Sequence, residues 1–483
     1  MEHVDVLIVG AGISGIGAAC HLRRAHPDRS FTILEGRETF GGTWDLFRYP
    51  GVRSDSDMYT FGYSFKPWTL GRDIAPASDI LAYLGETIDE YVLEPSIRYG
   101  HRVKRVAWSS EDRRWTVTVE RLDDGAILGI TCQFLVTGTG YYDHERGHTP
   151  TLPGLEDFRG RVVHPQHWPD DLDHARKRVL IVGSGATAVT LVPAMAATAA
   201  HVTMLQRSPT YVVSRPSKEP AAAWLGRFLP AAAVHTLIRS RNTAMRWLFY
   251  RLAQRFPAPI RRSLLERART AMGDKVDVDT HFSPSYAPWD QRMCLIPDGD
   301  LFDALQSERA SVVTDTIERF DATGVQLTSG ARVDADVVVT ATGLQLSFLR
   351  GIEMVVDGRV VDAADLVTYR GVLFGNVPNW VALLGYTSAS WTLKVDLACG
   401  YLCRLLSFMD GHGYDTVMPV LDEEDEPTRT YFASLASAGY VQRGEGAMPR
   451  QRNTGPWRNR DDYFADLVAL RYAGLEDGVL RFG

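Results

Sequence analysis

The fold is decided by Val4-Asp5-Val6-Leu7-Ile8-Val9-Gly10-Ala11-Gly12-Ile13-Ser14-Gly15. This β-branched run is too short for a helix and ends in the pattern GxGxxG, after which residues 16–25 have the pattern of a helix. Gly10 allows a tight turn, Gly12 lets the backbone approach a pyrophosphate, and Gly15 lets helix and strand pack closely. The helix amides, beginning near Ser14, would face that anion. The stretch predicts a dinucleotide-binding βαβ unit.

An acidic residue follows at the spacing that this unit requires. A second strand-like run, residues 31–34, ends in Glu35, about twenty residues after Gly15. A carboxylate there can accept hydrogen bonds from a ribose diol. An ordinary glycine turn in an α/β fold is the alternative, and it would not need this acid. We therefore interpret the first unit as an FAD site.

A second copy of the pattern begins at Arg178. Residues 179–182 form a strand-like run, and the turn and first helical residues follow as Gly183-Ser184-Gly185-Ala186-Thr187-Ala188-Val189. The next strand-like run ends in Gln206-Arg207-Ser208, with no acid where the first copy has Glu35. Arg207 offers a bidentate cation and Ser208 a hydroxyl, which suit a 2′-phosphate. This favours NADPH at the second site, with a solvated loop arginine as the alternative for Arg207.

Two such sites in one chain predict electron transfer from nicotinamide to flavin. The composition agrees with a soluble enzyme: the net charge of −7 over 483 residues argues against nucleic acid as the main partner. We find no apolar run long enough to span a membrane and no basic leader, so we expect a cytoplasmic protein. The five cysteines form no CxxC pair and no metal-ligand spacing, which argues against a dithiol flavoenzyme.

The segment Phe158-Arg159-Gly160-Arg161-Val162-Val163-His164-Pro165-Gln166-His167-Trp168-Pro169 carries a family signature. It resembles the FxGxxxHxxxWP fingerprint of type I Baeyer–Villiger monooxygenases. Related flavin-containing monooxygenases usually carry Tyr or Phe in place of Trp168. We interpret the segment as a hinge that Gly160 bends, with His164 packed at the domain interface and no proton transfer assigned to it.

Further segments extend the resemblance over nearly the whole chain. Runs such as GGTWDLFRYPG, HPQHWPDDLD, GSGATAVTLVPA and GYTSASWTLK are similar to a mycobacterial branch of the family that also oxidises sulfides and thioamides. By resemblance, the residues from Gly42 through Thr43, Trp44, Asp45 and Leu46 lie against the flavin, with Arg53, Ser54 and Asp55 beside flavin and nicotinamide, and the backbone of Val103 at the FAD adenine. The segment 288–294 makes Arg292 the active-site arginine. The lysine that several relatives carry before this arginine is Gln291 here.

The resemblance implies the insertion of one oxygen atom from O2 into a ketone, giving an ester or lactone through a flavin C4a-peroxide. Arg292 would stabilise the anion, and Asp55 would orient Arg292. A purely supporting salt bridge is the alternative for this pair. Sulfides and thioamides are expected as additional substrates. The rival functions are a flavin-containing N- or S-oxygenating monooxygenase without ketone activity, and a non-catalytic FAD-binding redox sensor.

The fold class predicted is α/β, with an NADPH domain inserted into an FAD domain and a helical insertion. The expected boundaries are 1–145 and 335–483 for the FAD domain, 150–214 and 285–334 for the NADPH domain, and 215–284 for the helices. Strand-like runs with glycine turns at 134–140 and 337–343 mark the two crossings.

One charged segment leaves two interpretations open. Residues 221–271 contain ten arginines and a single acid, Glu266, interleaved with large apolar residues in an amphipathic pattern. The segment could rest on an anionic membrane surface, or its arginines could be solvated or paired with other domains. Further along, a helix is expected through Met409, capped by Ser390 or Thr392, while Trp391 could line the pocket or belong to the core. The sequence gives no oligomeric state.

Overall fold

A computed structural model describes residues 1–70, 72–422, 429–435 and 437–483. Its strands, in chain order, are β1 (Glu2–Val9), β2 (Phe31–Leu34), β3 (Ile97–Arg98), β4 (His101–Ser109), β5 (Arg114–Arg121), β6 (Ile127–Thr137), β7 (Tyr142–Gly147), β8 (Arg161–Val163), β9 (Arg178–Val182), β10 (His201–Gln206), β11 (Val212–Arg215), β12 (Cys294–Pro297), β13 (Ala310–Thr314), β14 (Ile317–Asp321), β15 (Gly324–Leu327), β16 (Arg332–Asp334), β17 (Val337–Thr340), β18 (Leu344–Leu346), β19 (Glu353–Val356), β20 (Arg359–Val361), β21 (Thr368–Tyr369), β22 (Leu373–Phe374), β23 (Trp380–Ala382), β24 (Val417–Pro419), β25 (Arg429–Thr430), β26 (Arg450–Gln451) and β27 (Leu480–Phe482).

The α-helices of the described residues lie between these strands in the sequence. In chain order they are α1 (Ile13–Ala25), α2 (Thr43–Leu46), α3 (Met58–Phe61), α4 (Ala77–Glu90), α5 (Ala186–Ala196), α6 (Pro220–Leu225), α7 (Ala231–Arg255), α8 (Pro257–Met272), α9 (Val278–His281), α10 (Asp300–Gln306), α11 (Trp391–His412), α12 (Gly439–Gly444) and α13 (Tyr463–Leu467).

The first sheet is built around β1, the run predicted from the sequence. Its strand order is β20-β19-β4-β5-β6-β1-β2-β3, with β23 also paired to β6, and β1 pairs in parallel with both β2 and β6. Alternate residues of β1 enter different cores: Val6 and Ile8 pack with α1 and α11, while Leu7 and Val9 pack on the opposite face. Burial on both faces explains why the second half of β1, residues 6–9, is continuously apolar.

The second sheet has the strand order β13-β10-β9-β17-β8, and all its neighbours are parallel. Its central strand β9 leads into α5 through the second glycine turn. A three-stranded antiparallel meander, β14-β15-β16, adjoins it. The molecule therefore contains two Rossmann-like sheets, each with its own glycine turn. The predicted α/β fold class is confirmed.

The two chain segments that run between the sheets pair with each other. β7 follows β6 of the first sheet, β18 follows β17 of the second, and β7 and β18 are antiparallel. The strand β17 belongs to the second sheet, where it pairs with β8 and β9. The boundary predicted at 335 is therefore wrong: the return to the first sheet begins after Thr340, because a valine run suits the buried centre of either sheet equally.

The helical insertion is anchored by the inner face of α7. Nη1 of Arg239 donates to the carbonyl oxygen of Gly62 at 2.7 Å, and its Nη2 donates to the carboxylate of Asp396 at 2.7 Å. His235 is buried and lies 3.2 Å from the carbonyl oxygen of Tyr63, through Nε2. Buried polar groups need such partners, so they fix α7 to the first domain.

The helix α11 begins at Trp391, but neither predicted capping side chain caps it. The Ser390 hydroxyl lies 2.6 Å from the Thr60 hydroxyl, and the Thr392 hydroxyl donates to the carbonyl oxygens of Thr60 and Phe61. Both hydroxyls are therefore used to attach α11 to α3. This correction reflects a tertiary contact that local sequence does not reveal.

Candidate active site

A cavity of about 860 Å³ lies where both glycine turns open. It is reached from the carboxyl end of β1 at Gly10 and from the carboxyl end of β9 at Gly183. Ligands of open α/β sheets bind at this edge. The cavity is lined by most of the predicted cofactor and catalytic residues, namely Gly10, Gly12, Ser14, Glu35, Gly42, Thr43, Trp44, Arg53, Ser54, Asp55, Gly183, Ser184, Gly185, Ala186, Thr187, Arg207, Ser208 and Arg292.

In the first turn, two glycines are required by the protein itself. Gly10 has φ of +103°, and a Cβ there would lie 2.8 Å from the carbonyl oxygen of Gly138. A Cβ at Gly15 would overlap the carbonyl oxygen of Gly10. Gly12 differs: its φ is −80°, and the nearest protein atom to a Cβ would be 3.7 Å away. No contact with the described residues therefore requires glycine at position 12.

The second turn also has one glycine that a close protein contact requires and one that lies in open space. Gly183 has φ of +141°, and a Cβ there would overlap the carbonyl oxygen of Ala341. At Gly185, φ is −79° and a Cβ would meet no described atom within 4 Å. Gly12 and Gly185 both leave open space at a helix N-terminus, where a pyrophosphate would approach the backbone. This space fits a dinucleotide at each turn.

Glu35 is buried at the end of β2 and faces the first turn. One carboxylate oxygen accepts from the backbone N–H of Ala11 at 2.7 Å, and the other accepts from the N–H of Arg37 at 2.9 Å. These bonds hold the carboxylate at the cavity wall, where it can accept further hydrogen bonds from a ligand hydroxyl.

Six predicted cofactor residues lie outside the cavity lining: Gly15, Asp45, Leu46, Val103, Ala188 and Val189. Asp45 forms ion pairs with Arg37 and Arg48. Val103 is buried within β4, and both Ala188 and Val189 face the core beneath α5. These residues therefore support the elements that form the cavity. Their contact with a cofactor stays a prediction.

The structure brings Arg292 and Asp55 together although they lie far apart in the sequence. Nη2 of Arg292 lies 2.5 Å from a carboxylate oxygen of Asp55. Their side chains are 33% and 28% exposed, and both line the cavity. The charge of Asp55 raises the pKa of Arg292 against the opposing effect of burial. The guanidinium is therefore a permanent cation at the cavity wall.

Two tyrosines beside this pair were missed by the sequence analysis. The hydroxyls of Tyr141 and Tyr142 are 2.7 Å apart, and both residues line the cavity. Burial raises the pKa of Tyr142 to about 12 and raises the pKa of Tyr141 well above its usual range, so both phenols are neutral at ordinary pH. They directly follow the glycine turn at 138–140, which the sequence pattern marks only as a domain crossing.

Trp391 lines the cavity, which decides between the two predicted roles. Its ring stacks on Tyr141 with centroids 5.1 Å apart, and its Nε1–H donates to the Ser14 hydroxyl at 2.8 Å. The residue therefore links the first glycine turn to the tyrosine pair. These aromatic rings form an apolar wall of the cavity near Arg292.

A further cavity residue that the sequence does not predict is Arg443 on α12. It lines the cavity together with Arg207. Burial and, next in size, the charge of Arg207 lower the pKa of Arg443. The side chain of Gln291 also lines the cavity, and its amide donates to the carbonyl oxygen of Ser437 at 3.4 Å. Two cations that repel each other in one cavity favour an anion between them.

Arg246 approaches the site from the inner face of α7. Its Nε donates to the carbonyl oxygen of Ser388 at 3.1 Å, and its guanidinium lies 5.7 Å from the ring centroid of Trp289. Burial lowers the pKa of Arg246, while the charge of Asp55 raises it. The sequence pattern predicts no role for Arg246 beyond being one of the ten arginines of residues 221–271.

All five cysteines are free and buried. Cys294 lines the cavity, but burial raises the pKa of its thiol to about 12, so it is not a thiolate at neutral pH. His164 packs against Gly147 in β7, and burial lowers its pKa. It thus lies where the chain passes between the sheets.

The fold and the site define a flavoprotein oxidoreductase with two dinucleotide-binding domains. The family model described as pyridine nucleotide-disulphide oxidoreductase matches residues 4–246, which include both glycine turns. Among solved structures, the chain is similar to an oxidised steroid monooxygenase bound to NADP (TM-score 0.79, 24% identity, 99% of both chains). It is also similar to a Rhodococcus cyclohexanone monooxygenase bound to NADP+ (TM-score 0.73, 21% identity, 100% of this chain and 99% of that one). These two likenesses establish the fold.

The sequence relatives identify the family more closely. The chain is 48% identical over 482 residues to the "Probable FAD-binding monooxygenase AlmA" of Acinetobacter baylyi, covering 100% of this chain and 96% of the relative. It is 46% identical over 485 residues to the FAD-containing monooxygenase EthA of Mycobacterium tuberculosis, covering 100% and 98%. The chain belongs to the family of FAD-containing monooxygenases. The resemblance to a mycobacterial branch is confirmed.

Proposed function

We propose that this monooxygenase uses FAD, NADPH and O2 to convert ketones into esters or lactones, the Baeyer–Villiger reaction, and also oxygenates sulfides and thioamides. The observation that carries the proposal is the Arg292–Asp55 pair in a cavity that both glycine turns share. A permanent cation there suits a reaction in which oxygen becomes negatively charged. The names of EthA and of the steroid and cyclohexanone monooxygenases agree with this chemistry.

The residues present can hold both cofactors. The first turn, with Gly12, Ser14 and Glu35, would hold FAD, and the second turn, with Thr187, Arg207 and Ser208, would hold NADPH. When bound, FAD supplies the activation of O2 after reduction by NADPH. The remaining predicted flavin contacts at Thr43, Trp44, Arg53 and Ser54 lie along the same cavity wall.

The chain's own contribution is electrostatic and steric. Nη2 of Arg292 is held by Asp55, so the guanidinium needs no reorganisation when negative charge develops on the reacting oxygen. The rings of Tyr141 and Trp391 exclude water from the wall beside it. Their exclusion of water strengthens the electrostatic interaction, because the local dielectric falls.

We propose the domain division given above with one change: the NADPH domain extends through β17 and the FAD domain resumes after Thr340. A cytoplasmic location and small-molecule partners remain part of the proposal. Among the described residues, no helix combines the length and apolar character needed to cross a membrane.

A product screen tests the function. FAD-loaded enzyme is given NADPH with a series of ketones and thioethers, and products are analysed by mass for one added oxygen. We expect esters or lactones from ketones and sulfoxides from thioethers. Sulfoxides without any ester would favour the N- or S-oxygenating alternative, and NADPH consumption that no acceptor raises would favour the redox sensor.

Asp55→Asn is expected to lower the rate of ester formation by about ten- to a hundredfold, because the amide no longer fixes the guanidinium of Arg292. FAD content should stay unchanged. The measurement pairs ester yield with hydrogen peroxide release per NADPH. The matched control is Asp321→Asn, which removes a carboxylate from an exposed ion pair with Arg332. Equal ester yields from both variants would contradict the orienting role of Asp55.

Arg443→Ala is expected to raise KM for NADPH by about tenfold and leave KM for NADH nearly unchanged. The reason is that Arg443 shares the cavity with Arg207 and would supply the second cation for a 2′-phosphate that Gln291 does not provide. The measurement is the kcat/KM ratio for the two nucleotides, with Arg359→Ala as control. Equal losses with NADPH and NADH would show that Arg443 does not recognise the 2′-phosphate.

A further inference from the structure

We propose that the outer face of α6, α7 and α8 docks the enzyme on an anionic membrane surface. We call this surface the basic face and define it by its exposed apolar and unpaired basic residues: Trp224, Arg227, Phe228, Leu237, Met245, Leu248, Leu252, Arg255, Arg262 and Arg267. The basic face lies apart from the cavity. The proposal adds a location, an anionic membrane surface, to the proposed function.

The helix α7 has a buried inner face and an outer face that exposes apolar side chains. Its inner face is buried through Val234, Ile238 and Asn242. Its outer face carries a stripe of apolar side chains at helical spacing, Leu237, Met245, Leu248 and Leu252, which are between 39% and 56% exposed. A helix on a protein surface normally turns polar residues outward, so the apolar stripe of α7 lacks a partner within the described chain.

Two exposed aromatic residues lie on α6 and directly after it. Trp224 is 59% exposed and Phe228 is 71% exposed, and their rings make an edge contact with centroids 5.5 Å apart. The helices α6 and α7 pack together through Leu225, Val234 and Ile238. Exposed aromatic and aliphatic side chains of this kind enter the interfacial region of a bilayer.

Arg246 and Arg261 of this segment donate to backbone carbonyl oxygens, and its other eight arginines divide into a paired and an unpaired group. Four arginines form ion pairs with carboxylates: Arg239 with Asp396, Arg241 with Glu219, Arg251 with Asp462, and Arg269 with Asp279. Within the described residues, four exposed arginines have no carboxylate within ion-pair distance: Arg227, Arg255, Arg262 and Arg267. The pairing interpretation thus accounts for the first group and leaves the second free for an external anion.

Charge complementarity favours an anionic bilayer over a second copy of the chain. The basic face carries four arginines with no carboxylate partner among the described residues, and the only acid in residues 221–271 is Glu266. Two such faces would repel each other, whereas a surface of anionic lipids attracts each basic residue near it. The helix α7 is 25 residues long, about 37 Å at 1.5 Å per residue, and can lie flat on a bilayer.

The same helix also backs the cavity. Arg246, on the inner side of α7, is close enough to Asp55 for the two charges to interact. Because α7 separates the basic face from the catalytic pair, a docked enzyme would meet substrates that partition into lipid. This preference for lipophilic ketones or sulfides rests on the proposed function, whereas the docking itself does not.

Vesicle co-sedimentation tests the docking directly. The full-length, FAD-loaded protein is mixed with vesicles of phosphatidylglycerol or of phosphatidylcholine, at low and at high salt. We expect binding to the anionic vesicles at low salt, loss of most of it at high salt, and little binding to the neutral ones. Oxygenation of a water-soluble substrate, measured without vesicles, reports separately on the proposed function.

Two pairs of variants assign the binding to the basic face. Arg255→Glu with Arg262→Glu, and separately Met245→Glu with Leu248→Glu, should each lower vesicle binding by about tenfold or more. The matched controls are Arg359→Glu and Val360→Glu on β20, where Val360 is 68% exposed. Soluble-substrate activity should be retained in all of them, which shows that the variants fold.

Three outcomes would overturn the proposal. One is the absence of binding to phosphatidylglycerol vesicles at low salt. Another is an equal loss of binding in the β20 controls. The third is a dimer in solution that Leu248→Glu dissociates, without any vesicle binding, because the basic face would then be an interface between copies of the chain.

Discussion

Arg292→Ala is expected to abolish ester formation from ketones, with a loss of about a thousandfold or more, while NADPH still reduces the bound FAD. Removing a single group that stabilises an oxyanion costs about a hundred- to a thousandfold in kcat. Here the group is a full cation whose charge Asp55 secures, so we expect the upper end of that range. Stopped-flow absorbance measures flavin reduction, and product analysis measures ester formation.

The comparison of substrates sharpens this prediction. Oxygen transfer to a thioether uses an electrophilic oxygen and needs the cation less, so Arg292→Ala should retain a larger share of sulfoxide formation than of ester formation. Arg292→Lys keeps the charge and loses the planar fork that faces the carboxylate, so it should recover only part of the ester yield. An unchanged ester yield in Arg292→Ala would remove the catalytic role assigned to this residue.

Gly12→Ala is expected to give a folded but colourless protein. The backbone at Gly12 is compatible with alanine, and the nearest protein atom would be 3.7 Å from the new Cβ. The methyl group would instead occupy the space that a pyrophosphate needs against the helix N-terminus. Absorbance of the purified protein in the visible range and circular dichroism measure FAD content and folding separately.

Two further glycine variants serve as controls. Gly411→Ala lies on α11 in open space and should keep FAD, with a stability gain of about 0.5–1 kcal/mol from the helix propensity of alanine. Gly185→Ala should keep FAD and weaken only NADPH binding, because it changes the second turn. A yellow Gly12→Ala protein with normal FAD affinity would contradict the placement of FAD at the first turn.

The sequence predicted those parts of the fold that local pattern determines. The turn from Gly10 to Gly15 and the turn from Gly183 onward each combine a strand, a glycine pattern and a helix within a few residues. The membership of β17 was not predictable in this way, because its valines pair equally well with either sheet. Which sheet it joins depends on β8 and β9, which are distant in sequence.

The candidate site also combines residues that local sequence predicts with contacts that depend on the tertiary structure. Asp55 and Arg292 were identified through short motifs, whereas their contact at 2.5 Å is a property of the tertiary structure. Tyr141 could have been found, since an aromatic pair directly after a glycine turn is a local signal. Arg443 carries no such signal: it reaches the cavity only because α12 packs beside β18, and no local motif links it to Arg207.

Oxygen labelling tests the central claim most directly. The FAD-loaded enzyme is given NADPH, a ketone and 18O2, and the label is traced in the ester, in water and in hydrogen peroxide. The account predicts one labelled oxygen atom in each ester molecule formed by the natural enzyme, with no labelled ester from Arg292→Ala. Label found only in water and hydrogen peroxide with every ketone and sulfide offered would contradict it.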